Sequence, residues 1–304
     1  HAYDIVSVLI KLEVNNMDKH KFKIEIADRL GGFFAQYIFS CIDVNNITDI
    51  NEIRLRANKP VSIICNSKLY FVNRKKGISL KCENPYIITR DEISSMFARI
   101  CRNSMYAFAD DIKNGFVTIP GGHRVGICGK MQSDGTIRDI SCMNIRIAKE
   151  VLNCAKDVIP SIIRGANDIK STLIISPPCC GKTTLVRDIA RVLSNGFEKP
   201  YFQGVNVGIV DERSEIAACC NGIPSNDVGM RTDVLDACPK EKGIYMMLRA
   251  MSPRVIITDE IGGPGDYRAV ASAINSGVRL IATAHGRSIE EVRSRHEIGN
   301  MIDD

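Results

Sequence analysis

The sequence predicts an α/β protein in which a P-loop nucleotide-binding core follows a smaller N-terminal α+β domain. Three observations point there. From about residue 151 onward, short apolar runs alternate with helix-type patterns, as in a parallel α/β sheet. Within that region, Ser176-Pro177-Pro178-Cys179-Cys180-Gly181-Lys182-Thr183-Thr184 lies between the β-type run Thr172–Ile175 and the helix-type run Leu185–Ala190. Before residue 150 the runs are short, alternating and punctuated by turns, which suits a sheet with few helices.

The N-terminal domain is placed at 20–150. Alternating runs at 52–56, 60–65 and 69–72 read as strands. Thr89 followed three residues later by Glu92 is a capping box, and Ile93, Met96, Phe97 and Ile100 give the following helix an apolar face. Gly115–Ile119, the Pro120-Gly121-Gly122 turn and His123–Cys128 read as a hairpin, with a further strand from Ile137 to Ala148. Residues 1–19 stand apart as a lead segment. Their apolar patch, Ile5–Ile10, is too short for a secretory leader, and Met17 is a candidate native start.

The core is placed at 151–304, with strands at 171–176, 206–211, 254–258 and 278–283. Strand, tight loop, Gly-Lys-Thr, helix is the context in which a P-loop holds polyphosphate, because loop N–H groups and the positive helix end face the ligand. Residues 176–184 are therefore the nucleotide-binding candidates, with Lys182 on the β/γ-phosphates and the Thr183 hydroxyl on Mg²⁺. The run Val255–Thr258 ends in Asp259-Glu260, 77 residues after Lys182. Two acids at the C-terminal end of a buried strand stand where α/β folds bind ligands. Asp259 is the candidate Walker B acid for Mg²⁺, and Glu260 the candidate to polarise water. Gly208–Glu215 and Arg279–Gly286 are two more strand-to-polar transitions; Glu212 is the second candidate for the water, and His285 the candidate γ-phosphate sensor.

Composition narrows the alternatives. With 45% apolar and 25% charged residues, 304 residues suit a globular protein of two domains. No apolar run reaches the length of a membrane span. Residues 1–150 carry 22 Lys and Arg against 16 Asp and Glu, and residues 151–304 carry 18 against 19. Arg74-Lys75-Lys76 is the only basic cluster, which offers no strong nucleic-acid signal. None of the twelve cysteines forms a C-x-x-C pair, so they read as small buried hydrophobes in a reducing cytoplasm.

The segment Met247–Ile261, with Leu248-Arg249, Pro253, Ile256 and Glu260-Ile261, followed by Thr283-Ala284-His285, resembles the secretion ATPase superfamily of RecA-like motors. That family carries an L-R-x-x-x-P-x-x-I-x-x-x-E-I block and a T-x-H box in this order, with an acidic box matching Asp211-Glu212 through Glu215. The resemblance is closer still to the stage III sporulation AA family, through residues 121–129, 144–148, 176–184, 210–216 and 228–235. Ser176 in place of the usual first glycine is a habit of that family. Gly262-Gly263-Pro264 departs from the superfamily, which carries a basic residue after Glu-Ile.

The resemblance implies a RecA-like core, ATP with Mg²⁺, a homo-oligomeric ring of six, and a cytoplasmic position against membrane-embedded sporulation channel subunits. Arg213, Arg231 and Arg249 are the candidates for an arginine acting across a subunit boundary, with Arg124 and Arg146 as alternatives from the first domain. Two other readings stay open at this stage. One is a RecA-like nucleic-acid motor; the other is an ATP-binding assembly switch that does not hydrolyse.

Overall fold

The computed structural model describes residues 23–31, 50–74, 77–102, 108–165, 168–178, 180–198 and 201–295. The lead segment 1–19, Cys179 and the tail beyond Arg295 lie outside them. The chain divides into two compact units, with the boundary between Glu150 and Val151.

The first unit is built on a seven-stranded antiparallel sheet. Its strands are β1 (Ile50–Arg56), β2 (Ser62–Cys65), β3 (Lys68–Asn73), β4 (Gly77–Ser79), β5 (Phe116–Ile119), β6 (His123–Met131) and β7 (Ile137–Arg146), in the order β4-β3-β2-β1-β7-β6-β5. The hairpin read around Pro120 forms with Ile119 opposite His123, and both turn glycines adopt positive φ (89° and 73°). Helix α1 (Arg90–Ile100) starts at the capping box, where Thr89 Oγ1 accepts from the Glu92 N–H and Glu92 accepts from the Thr89 N–H. Its buried Ile93, Met96, Phe97 and Ile100 join Ile53, Leu55, Val125 and Ile145 in one core.

The second unit is a five-stranded parallel sheet in the order β8-β12-β11-β9-β10: β8 (Thr172–Ser176), β9 (Val207–Asp211), β10 (Thr232–Asp236), β11 (Val255–Thr258) and β12 (Arg279–His285). Its main helices are α2 (Lys182–Asn195), α3 (Lys240–Ala250) and α4 (Pro264–Asn275). Alternate strand residues feed two cores. Ile174, Ile209, Ile257 and Ile281 meet Leu185, Ile189 and Leu193 of α2. Leu173, Val210, Ile256 and Leu280 meet Ile244 and Met247 of α3 and Val270 of α4. Burial on both faces explains why these strands read as continuous apolar runs.

Parallel pairing brings all five C-terminal strand ends to one edge. Register then sets the neighbours there: Ser176 pairs with His285, Val210 with Thr258, and Asp211 with Asp236. The P-loop strand β8 and the acidic strand β11 are not adjacent, because β12 lies between them.

The cysteine expectation needs correction. Of the ten described cysteines, all free, only Cys101 and Cys219 are buried, while Cys82, Cys128 and Cys180 are exposed. Spacing argued against a metal or disulfide framework but carries no information on burial.

Candidate nucleotide site

Gly181 adopts φ 82° and ψ 15° immediately before α2, a left-handed turn that a side chain disfavours and glycine permits. This turn carries the chain from β8 into the helix and sends the Lys182 side chain back along the loop. The Lys182 ammonium donates to the carbonyls of Ser176 and Pro177, both at 2.8 Å, and to His285 Nδ1 at 2.9 Å. An ammonium has three protons and no lone pair. Nδ1 therefore accepts, and the imidazole proton sits on Nε2. Nε2 in turn lies 3.1 Å from Glu260 Oε1, and Glu260 Oε2 lies 3.8 Å from Arg213 Nη1. The result is a polar relay from α2 through the end of β12 to the loops after β11 and β9.

A second cluster lies in the same unit. Lys240, the first residue of α3, is only 5% exposed; its ammonium donates to Glu212 Oε2 and lies 3.4 Å from Asp259 Oδ1. That distance is within ion-pair range, yet Asp259 Oδ1 is buried without a hydrogen-bond partner, so direction rather than distance leaves it unsatisfied. Burial raises the Asp259 pKa, with Lys240 opposing. For Lys240, burial works against the charge, but Glu212 and Asp259 outweigh it and the net shift is upward.

Asp211 has a different task. Its carboxylate accepts from the N–H groups of Glu215, Ile216 and Ala217 at 2.8–2.9 Å. Arg187 of α2 donates to the Glu215 and Ile216 carbonyls from the other side. Together they fix the loop that carries Glu212 and Arg213. Gly262-Gly263-Pro264 is likewise a helix start: the N–H groups of Gly262 and Gly263 both donate to Asp266 Oδ2 at 3.1 Å, and Pro264 opens α4.

The family model for sporulation stage III, protein AA, matches residues 35–304. The chain belongs to the stage III sporulation AA family. It is 41% identical over 257 residues to stage III sporulation protein AA of Bacillus subtilis (strain 168), covering 83% of this chain and 78% of that one. The fold of this family member is similar to that of two solved P-loop proteins. The ATPase DotB of Legionella pneumophila superposes with a TM-score of 0.55 at 14% identity, covering 99% of this chain and 77% of that chain. The pilus retraction motor PilT, solved with bound ADP, gives 0.54 at 13% identity, with coverages of 83% and 72%. The RecA-like α/β reading and the family resemblance both stand.

For this family member, the candidates read from sequence sort by position. Lys182, Thr183, Ser176, Pro177, Pro178, Cys180 and Thr184 lie on the loop and the first turn of α2, and His285, Glu260, Asp259, Glu212 and Arg213 lie at the same strand-end edge. Arg231 and Arg249 do not join them. Arg231 precedes β10 and donates to the Ser194 and Asn195 carbonyls, capping the far end of α2. Arg249 is exposed in the last turn of α3. In the first unit, Arg124 stacks over Phe116 at 4.5 Å and Arg146 lies 3.9 Å from Glu52. A groove of about 810 Å³, lined by Gly204, Asn206, Arg231, Pro253, Arg254 and Gly277, opens at the opposite edge of the sheet. Its size does not make it the site, since the relay groups lie at the other strand ends. Lys240 is the residue that sequence reasoning missed: a lysine in Pro-Lys-Glu-Lys reads as solvated.

Proposed function

We propose that this chain is a Mg²⁺-dependent ATPase acting as a ring-shaped motor of six copies, as the family resemblance implies, docked on the cytoplasmic face of a sporulation channel complex. The observation that carries the reading is the relay Lys182–His285–Glu260, drawn from three separate segments at 2.9 and 3.1 Å. Lys182 binds the β/γ-phosphates in exchange for its carbonyl acceptors. Glu260 takes a proton from the attacking water as the water's oxygen bonds to the γ-phosphorus and the bridging oxygen leaves with ADP. The Nε2–H of His285 aims the Glu260 carboxylate and links it to Lys182, so phosphate contact is felt at the base. Arg213 offsets negative charge on the far side of Glu260.

The residues fit a metal. Asp259 Oδ1 is a buried oxygen without a hydrogen-bond donor. Mg²⁺ keeps waters and takes most of its oxygens from phosphate, so few protein oxygens are needed. Thr183 and Asp259 would hold it, and when bound it neutralises charge on the transferring phosphoryl group.

The test is phosphate release from Mg²⁺-ATP by wild type, Lys182→Ala and Glu260→Gln. Lys182→Ala is expected to lose nucleotide affinity and turnover together. Glu260→Gln is expected to keep ATP binding and lose about 10²–10⁴ in turnover. Wild type no faster than Glu260→Gln would select a binding switch, and stimulation by single-stranded DNA would select a nucleic-acid motor. Among the described residues no helix is long and apolar enough to cross a membrane, so docking on a channel is expected to need channel subunits.

A further inference from the structure

The mechanism above leaves the buried charge of Lys240 unused. The geometry points to Lys240 as a positioning residue: a tethered counter-ion that holds Glu212 and Asp259 in place and keeps divalent metal off Asp259 until nucleotide phosphate arrives. This rests on the nucleotide-site reading and adds a residue to it.

Four observations carry it. Lys240 is 5% exposed, a burial that lysine reaches almost only when paired. It sits at the first position of α3, where the helix dipole disfavours a cation, so the two carboxylates rather than the helix keep it there. Its ammonium touches acids from two separate strand ends, Glu212 after β9 and Asp259 after β11. The acid it faces at 3.4 Å is the one with an unsatisfied buried oxygen. A fixed cation that close lowers the affinity of Asp259 for a second cation. A nucleotide brings its own negative charge and reverses that balance, so the metal enters with the phosphates.

The experiment titrates Mn²⁺, read by electron paramagnetic resonance, into the full chain without nucleotide and with ATPγS, alongside turnover of Mg²⁺-ATP. Lys240→Met is expected to bind Mn²⁺ at least about tenfold more tightly than wild type without nucleotide, while turnover falls at least about tenfold. Lys240→Arg, which keeps the charge, is expected to return Mn²⁺ binding to the wild-type level. A purely structural lysine would not make metal affinity and turnover move in opposite directions. Glu212→Gln covers the case in which Lys240→Met does not fold. It removes the competing anion, leaves Lys240 to Asp259, and is expected to weaken Mn²⁺ binding with ATPγS. Mn²⁺ binding without nucleotide that is equal in wild type and Lys240→Met overturns the proposal, as does Mn²⁺ binding that Glu212→Gln strengthens or leaves unchanged. Absence of turnover in wild type would instead defeat the ATPase reading, because the nucleotide-free titration does not depend on hydrolysis.

Discussion

Asp211 carries three backbone hydrogen bonds on one fully buried carboxylate, and the balance of burial against those bonds sets its proton affinity. Burial dominates: the pKa rises from 3.8 to about 6, with the N–H groups of Ala217 and Glu215 opposing and Asp259 and Asp236 adding to the rise. The folded protein therefore holds this proton more tightly than the unfolded chain does. Its stabilising contribution is full below the unfolded value of 3.8 and is lost as the pH climbs through about 6. A gap of about two pH units corresponds to roughly 3 kcal/mol. Asp211→Asn has no proton to exchange there. Urea unfolding between pH 4 and 7 is expected to show wild type losing more stability than the variant across that window. Parallel curves would mean that Asp211 is ionised throughout. The same residue shows where sequence reading blurs: Asp211 and Glu212 are adjacent acids at a strand end, yet one braces a loop and the other meets Lys240.

At the scale of elements, close approach of α3 to the sheet depends on Gly243. A Cβ there would stand 2.5 Å from Val210 Cγ1 and 3.3 Å from Leu235 Cδ2. Two effects oppose each other in Gly243→Ala. Alanine favours a helix interior by about 1 kcal/mol, whereas overpacking costs about 1–3 kcal/mol. Val210 is β-branched, on a central strand and fully buried, so it cannot rotate aside. The clash wins, and Gly243→Ala is expected to lower stability by about 1–2 kcal/mol in denaturant melts; a gain would show that α3 shifts freely. Elements with a local signal were legible: the Gly-Lys-Thr turn, the Thr89 cap, the Pro120 hairpin and the four apolar parallel strands. Strand β10 was not, because Thr-Asp-Val-Leu-Asp is half-buried at a sheet edge and carries two acids. Placing β12 between β8 and β11 was equally out of reach, since strand order is set by contacts far apart in sequence. That order is what brings His285 beside Ser176 and makes the relay.

For the whole molecule, the position of Arg249 decides how a ring would work. Lys240 marks the end of α3 that meets Glu212 and Asp259, and Arg249 lies in the last turn of the same helix. Nine residues of α-helix span about 13 Å. Arg249 therefore lies exposed about 13 Å along the helix from Lys240, and as an arginine finger it would serve a neighbour's nucleotide. If the chain forms the proposed head-to-tail ring with Arg249 as its finger, each interface joins one chain's Lys182 to the next chain's Arg249. Lys182→Ala and Arg249→Ala are each expected to be inactive alone, the second by about 10³-fold or more if it removes an arginine finger. Mixed in equal amounts and allowed to exchange subunits, about a quarter of the interfaces pair an intact lysine with an intact arginine. ATPase activity is then expected to return toward that fraction of wild type, alongside a ring-sized species in sedimentation. No recovery from a mixture that does co-assemble would place Arg249 outside the neighbour's site, because two defects confined to their own chains cannot complement each other.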